Sequence, residues 1–405
     1  MTGKPAARLR FNYRPIFRAF ERFLQVEASS ALLLVLATAV ALLWANSPGA
    51  QSYESLWQTR VPLSPGSWLP AHSLRFWIND GLMTVFFLVI GLEIRGELHD
   101  GVLSDRKVAT LPMVAALGGI VFPALVFITF SSDPLLRRGW AIPTATDIAF
   151  AVGVLALLGR RVPRTLRILL LTLAIVDDIG AILIIAWFYS GEFDAVGFVV
   201  SLCAIAGVLV FQRAGVRGAA WYLLPGALLW YGFSRAGLHP TLAGVVLGFL
   251  TPVKHQTGSG DPPLARVKDA LHPWVAFGVM PLFALANAGV ALHGIHLATP
   301  SVLLLGTAIL LGLVAGKPLG ITMATALGVR LGWCTLPRGI HWRHIVVLGC
   351  LGGVGFTMSI FLASLAFTQG ELLAVAKGAV LVGSIVAGGI GVVVGRVMLS
   401  LETRP

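Results

Sequence analysis

The stretch Leu171-Thr-Leu-Ala-Ile-Val-Asp-Asp-Ile-Gly-Ala-Ile-Leu-Ile-Ile-Ala-Trp187 sets two adjacent carboxylates, Asp177 and Asp178, inside an apolar run reaching from about Ile168 to Tyr189. Twenty helical residues rise ~30 Å, the depth of a bilayer's hydrocarbon core. The run therefore predicts a membrane-spanning helix with both acids near its midplane. A charged carboxylate there costs at least ~2.5–3.5 kcal/mol on insertion scales, so it needs a partner or a polar cavity. Intramembrane acids mark functional sites by default. No lysine or arginine lies in the same run to neutralise the pair.

The rest of the chain has the same character. Of its 405 residues, 57% are apolar and 12% charged, against ~25% charged in soluble globular proteins. The apolar runs are continuous rather than alternating, which predicts helices and excludes a membrane barrel. Forty-six glycines suit close helix packing in lipid. No length remains for a sizeable soluble domain. The net charge of +12 reads as basic residues gathered in cytoplasmic loops, not as a nucleic-acid surface. Cys203, Cys334 and Cys350 are scattered, so neither a disulfide framework nor a zinc site is indicated.

These features predict an all-α polytopic membrane protein with 12 transmembrane helices. The spans fall at roughly 28–45, 76–94, 108–130, 141–159, 168–189, 195–212, 219–234, 240–253, 272–292, 301–328, 344–367 and 372–395. Residues 1–27 form a basic amphipathic segment expected to lie on the cytoplasmic membrane face. Residues 28–400 form one transmembrane domain and 401–405 a short tail. The basic start followed by an apolar run could mimic a signal peptide, but eleven further spans favour an uncleaved first helix. The loop at 47–74, rich in proline and tryptophan, is expected to form a short hairpin. Both termini are expected in the cytoplasm of a bacterial inner membrane. With that orientation 23 of the 30 Lys and Arg lie in inner segments and 5 in outer loops, while Lys317 and Lys377 fall within spans.

Two spans carry interruptions. The fourth opens with Ile142-Pro-Thr-Ala-Thr-Asp147, and the eleventh contains Gly349, Gly352, Gly353 and Gly355. Spans three to five and ten to twelve thus form two sets, each with a broken middle member. An odd number of spans per set makes them inverted repeats, and paired broken helices in inverted halves point to a transporter's binding site. If the two discontinuous helices cross, their half-helix ends place partial charges at mid-membrane. Asp147 would offset facing positive ends, and Lys317 facing negative ends. Lys317 is also the natural partner of one of the two aspartates. Thr146 and freed carbonyls would line the cavity. For the eleventh-span glycines, close packing is an equal alternative. Lys377, nearer a helix end, is expected to snorkel to the interface.

Asp177 and Asp178 diverge by about 100° around their helix, so they need not do the same task. Carboxylate oxygens take up protons and hard cations alike, and coupled acids titrate as a unit. Competition of a proton with Na+ or Li+ for one alternately exposed site yields obligatory exchange. A cation channel would more often use a ring of subunits without a paired lysine. An intramembrane aspartyl protease would show Gly-x-Gly-Asp, a Mg²⁺-dependent transferase Asp-x-x-x-Asp, and a zinc transporter histidines beside the acids. The chain shows none of these patterns at the aspartate pair.

The chain resembles the NhaA family of sodium/proton antiporters along nearly its whole length. The resemblance rests on Gly91-Leu-Glu93, Ala145-Thr-Asp-Ile-Ala-Phe-Ala151, Ala174-Ile-Val-Asp-Asp-Ile-Gly-Ala181, Gly237-Leu-His-Pro-Thr-Leu-Ala-Gly244, Phe283-Ala-Leu-Ala-Asn-Ala-Gly289, Gly316-Lys-Pro-Leu-Gly320 and Gly355-Phe-Thr-Met-Ser-Ile-Phe361, in that order. It implies electrogenic exchange of more than one proton for each Na+ or Li+. It implies Asp178 as cation ligand and Asp177 in proton exchange, paired with Lys317. It places Thr146 and Asp147 in crossed broken helices, and ties Glu93, Glu97 and His239 to a pH response. The loop after the first span matches a hairpin used in forming a homodimer. The bilayer and the transported ions are the expected partners, with no cofactor and no enzymatic activity. Two departures stand out. Gly96 follows Arg95 where the family has a second basic residue, and the ninth span starts Arg266-Val-Lys-Asp269 instead of with an acid and a histidine. Both imply a shifted pH range.

Overall fold

The computed structural model describes residues 14–61, 71–131, 133–159, 162–216, 218–253, 262–291, 299–368 and 370–400. Residues 1–13 of the basic segment, the tail 401–405, and Pro62, Pro65, Trp68 and Pro70 of the hairpin loop lie outside these. The backbone is almost wholly helical, as lipid demands, because helices satisfy their own N–H and C=O groups. In chain order the helices are α1 (Arg14–Ala45), α2 (Ala50–Gln58), α3 (Leu74–His99), α4 (Arg106–Phe130), α5 (Pro134–Thr144) and α6 (Ile148–Ala156). Then come α7 (Arg164–Phe188), α8 (Ala195–Arg213), α9 (Leu223–Arg235), α10 (Leu242–Leu250) and α11 (Pro263–Asn287). The last four are α12 (Pro300–Arg330), α13 (Trp342–Gly352), α14 (Phe356–Ala366) and α15 (Glu371–Ser400).

Among the described residues seven helices are long and apolar enough to cross a membrane, or up to ten if three bent pairs each count as one span. Two predicted spans, the seventh and eighth, do not reach that length. The short α10 is bracketed by Pro240 and Pro252, and proline keeps the residue before it out of helical geometry. The predicted ninth span begins earlier than its apolar stretch. Pro263 starts the helix at its first turn, so the polar segment Arg266–Asp269 is already helical. The expected hairpin is present as β1 (Arg60–Val61) paired antiparallel with β2 (His72–Ser73). It is tied down by Arg75, whose guanidinium donates two 2.9 Å bonds to Glu54 of α2.

α11 and α12 each widen to a π-type turn, over Val275–Val279 and Gly312–Gly316, just before Pro281 and Pro318. A proline offers no N–H and its ring clashes with the carbonyl four residues back. One wider turn relieves that clash without breaking the span. Lys377, expected to snorkel, is largely covered by protein. It is 8% exposed and stands nearly two turns from the start of α15 at Glu371, in the field of Arg75 and Glu54 by the hairpin.

Lipid gives helices no hydrophobic reason to associate, so close van der Waals fit replaces it. α4 and α12 touch through Gly118 and Gly320, and α3 meets α10 through Gly91 and Gly248. A Cβ on Gly91 would stand 2.8 Å from the carbonyl oxygen of Val245 and 3.3 Å from Gly248 Cα. Gly91→Val is therefore expected to lower stability by roughly 1–3 kcal/mol, the usual cost of overpacking. Thermal unfolding of the purified protein in detergent checks this, and an unchanged melting temperature would refute the close approach.

Candidate functional site

Two helices are broken at mid-course and their breaks meet. α5 and α6 bend by 47° around Ala145, Thr146 and Asp147, and α13 and α14 bend by 46° around Gly353, Val354 and Gly355. The backbone N–H of Asp147 donates to the carbonyl of Val354 at 2.8 Å. The hydroxyl of Ser359 donates to the carbonyl of Ile142 at 2.6 Å. Pro143 explains the first break. The glycines explain the second by contact, since none of them has a positive φ. A Cβ on Gly349 would lie 2.9 Å from Pro318 Cα, so packing against α12 fixes this residue as glycine.

Asp147 is the N-cap of α6, accepting from the Phe150 N–H at 3.0 Å. Its other oxygen accepts from the N–H of Thr357 at 3.0 Å and from the Thr357 hydroxyl. Thr357 sits in the first turn of α14. One buried carboxylate, 1% exposed, thus faces the positive ends of two half-helices.

The two central acids part ways. Asp177 Oδ2 accepts from Lys317 Nζ and from the Thr146 hydroxyl, both at 2.6 Å. Lys317 also reaches the Thr146 oxygen. The single hydroxyl proton of Thr146 has a second acceptor in the Gly352 carbonyl at 2.9 Å, the negative end of α13. Lys317, Asp177 and Thr146 are all essentially inaccessible to solvent. Asp178 turns away from this cluster and lines a cavity of about 60 Å³. Its Oδ1, like Asp177 Oδ1, has no hydrogen-bond partner among the described residues. That volume admits water or a small cation, since one water needs only about 10–15 Å³ of such space.

Thr146, Asp147 and Glu93 line the same cavity. Glu97 stands apart and accepts from the Val102 N–H at 2.8 Å, closing the turn after α3. His239 is not with the two glutamates. Its Nδ1 meets Thr241 Oγ1 at 2.7 Å and its Nε2 lies 4.0 Å from Asp80 Oδ1. Asp80 precedes Glu93 by thirteen residues on α3, which is ~20 Å of helix. The sequence reading missed Thr357, Asp80 and the pair Glu27–His272. That pair joins α1 to α11 at 2.9 Å and lines the cavity with Glu93. Glu27 was assigned to the basic segment. The only sequence signal for the pair was one acid and one histidine at the starts of two apolar runs.

The Asp147 bridge has a measurable cost of removal. Asp147→Ala leaves three donors at two helix starts without acceptors, and is expected to cost about 2 kcal/mol or more of stability. Asp147→Asn keeps one acceptor oxygen and should lose less. Thermal melts of both variants would decide it, and equal melting temperatures would sink the bridging role.

The sequence profile of the family described as Na+/H+ antiporter 1 matches residues 21–394. The chain is 51% identical to a Na(+)/H(+) antiporter NhaA 2 of Sorangium cellulosum (strain So ce56), with 98% of this chain and 93% of the relative covered. It is 54% identical to a Na(+)/H(+) antiporter NhaA of Acidovorax sp. (strain JS42), covering 90% and 88%. It is 50% identical to a Na(+)/H(+) antiporter NhaA 2 of Pseudomonas putida (strain F1), covering 93% and 92%.

Proposed function

Since the chain belongs to the Na+/H+ antiporter 1 family, we propose that it exchanges Na+ or Li+ for protons across a bacterial inner membrane. The ions compete for Asp178 and Asp177 at one alternately exposed site. The observation that carries this reading is the division of labour within the pair. Asp177 is engaged by Lys317 and Thr146, while Asp178 borders the cavity with an oxygen that no described group satisfies. An ion that reaches Asp178 from the cavity, whether a proton or a small cation, meets the same oxygens. The two compete for those oxygens, which makes movement of one ion conditional on release of the other.

In this reading exchange is electrogenic, with more than one proton for each Na+ or Li+. Asp177 supplies the further proton site when its contact with Lys317 is given up. The chain crosses the membrane twelve times as inverted repeats, with α5–α6 and α13–α14 as the crossed discontinuous pair and both termini cytoplasmic. Helices at every predicted span position support this, the two short ones included. Glu93 and Glu97, on the cavity side, and His239, at the other end of α3, tune the response to pH. The hairpin with α2 serves a homodimer. No cofactor is required.

Asp178→Asn removes a charge and almost no volume. In proteoliposomes with an acid interior, Na+ or Li+ added outside should collapse the pH gradient with the native protein, and K+ should not. The folded Asp178→Asn protein should lose at least about 99% of that response, a loss that ~2.7 kcal/mol suffices to cause. Substantial exchange by this variant, at any pH, would overturn the assignment of Asp178.

A further inference from the structure

The wall of the cavity at Asp178 is chemically uneven. Two of its acids are engaged elsewhere: Asp147 holds two helix starts, and Glu27 meets His272. Asp178 keeps an oxygen without a partner among the described residues. Much of the remaining wall is apolar, with Phe86 and Ile90 of α3, Met280 of α11 and Met358 of α14. Met280 and Met358 are 4% and 1% exposed.

The backbone fixes where both methionines stand. In an α-helix, residues five apart lie about 140° from one another around the axis. The π-type turn of α11 changes this, because the Met280 N–H donates to the Val275 carbonyl. A ring closed over five positions returns Met280 to the face of Val275, and both line the cavity with Ala276. Met358 lies between Thr357, which donates to Asp147, and Ser359, which donates to Ile142. Its backbone is therefore pinned on both sides to the crossing of the broken helices.

A thioether fills space and offers a hard cation almost nothing. Its sulfur is a weak acceptor and suits soft metals, whereas carboxylates and water suit hard ones. An ion beside Asp178 therefore draws its ligands from the carboxylate, neighbouring polar groups and water. The cavity of about 60 Å³ holds no more than roughly four to six waters. K+ is larger than Na+ or Li+ and needs more oxygens around it.

We propose that Met280 and Met358 determine the ion specificity of the site by limiting the water that accompanies a cation at Asp178. They act as bulk and not as ligands. The proposal rests on Asp178 as the exchange site. Shortening either side chain then admits a larger, more hydrated ion while leaving the acids untouched.

The test is reconstitution of Met280→Ala, Met358→Ala and the leucine variant at each position beside the native protein. Collapse of an acid-inside pH gradient is followed against the concentration of Na+, Li+ or K+, giving kcat/KM for each ion. In the alanine variants the K+ to Na+ ratio should rise at least about tenfold above the native value or its detection limit. A single methylene's space in a pocket discriminates by roughly 10–200-fold. Exchange of Na+ should persist. The leucine variants, similar in bulk and without sulfur, should keep the native ratio. An unchanged ratio in folded alanine variants overturns the proposal. So does a leucine variant that loses discrimination, since sulfur would then be the determinant. Folded alanine variants that exchange neither ion overturn it too, because the methionines would then serve exchange itself. Should the alanine variants not fold, Met280→Val and Met358→Val remove less volume and give the same readout. Failure of the native protein to exchange Na+ or Li+, or exchange by Asp178→Asn, would overturn the exchange-site reading instead.

Discussion

The carboxylate of Asp147 answers the constraint on which the rest of the structure depends. Within a bilayer no N–H, C=O or charge can turn to water, and this chain interrupts two helices in the middle of its most buried region. Asp147 meets the requirement from both sides. Its own N–H satisfies Val354, and its carboxylate collects the first-turn donors of α6 and α14. Each helix start carries roughly half a positive charge, so one aspartate balances two of them. The negative ends are served by hydroxyls: Ser359 reaches Ile142, and Thr146 reaches Gly352. The interruption is thus a closed set of bonds, not a local weakness.

With the breaks held, the neighbouring acids take different environments without any special backbone geometry. Adjacent positions on α7 face different directions. One direction holds the ammonium of Lys317, and the other holds the cavity. Lys317 therefore pairs with one of the two acids, and the other, Asp178, borders the cavity. Thr146 ties the arrangement together, since its oxygen touches Lys317 and Asp177 while its hydroxyl has the α13 carbonyl as an alternative acceptor.

Much of this was legible from the residues. Long apolar runs locate helices because lipid rewards nothing else. Acids and a lysine at mid-run stand out because their cost there is high. Pro143 and the Gly352–Gly355 cluster mark the breaks. What stayed hidden depends on how helices face one another. No pattern in the sequence says that Thr357 caps onto Asp147, that His272 meets Glu27, or that His239 sits some four turns of helix from Glu93. That neighbouring helices cover Lys377 is equally beyond a reading of its position along the run. The wide turns in α11 and α12 were equally invisible as such, although the prolines that cause them were in plain view.

The shortness of α10 has a consequence for the helices around it. Nine helical residues rise ~14 Å, against ~30 Å of hydrocarbon. No residue of α10 is exposed, and Leu242, Ala243, Gly244, Val245 and Gly248 are buried, so neighbouring helices and not lipid cover this short rise. His239 and Asp80 lie by the end of α10 where it begins, near Thr241. A helix covering less than half that depth leaves its terminal N–H and C=O groups to be met by protein. Gln212 of α8 supplies one such partner, its side-chain amide donating to the Leu250 carbonyl at 2.7 Å.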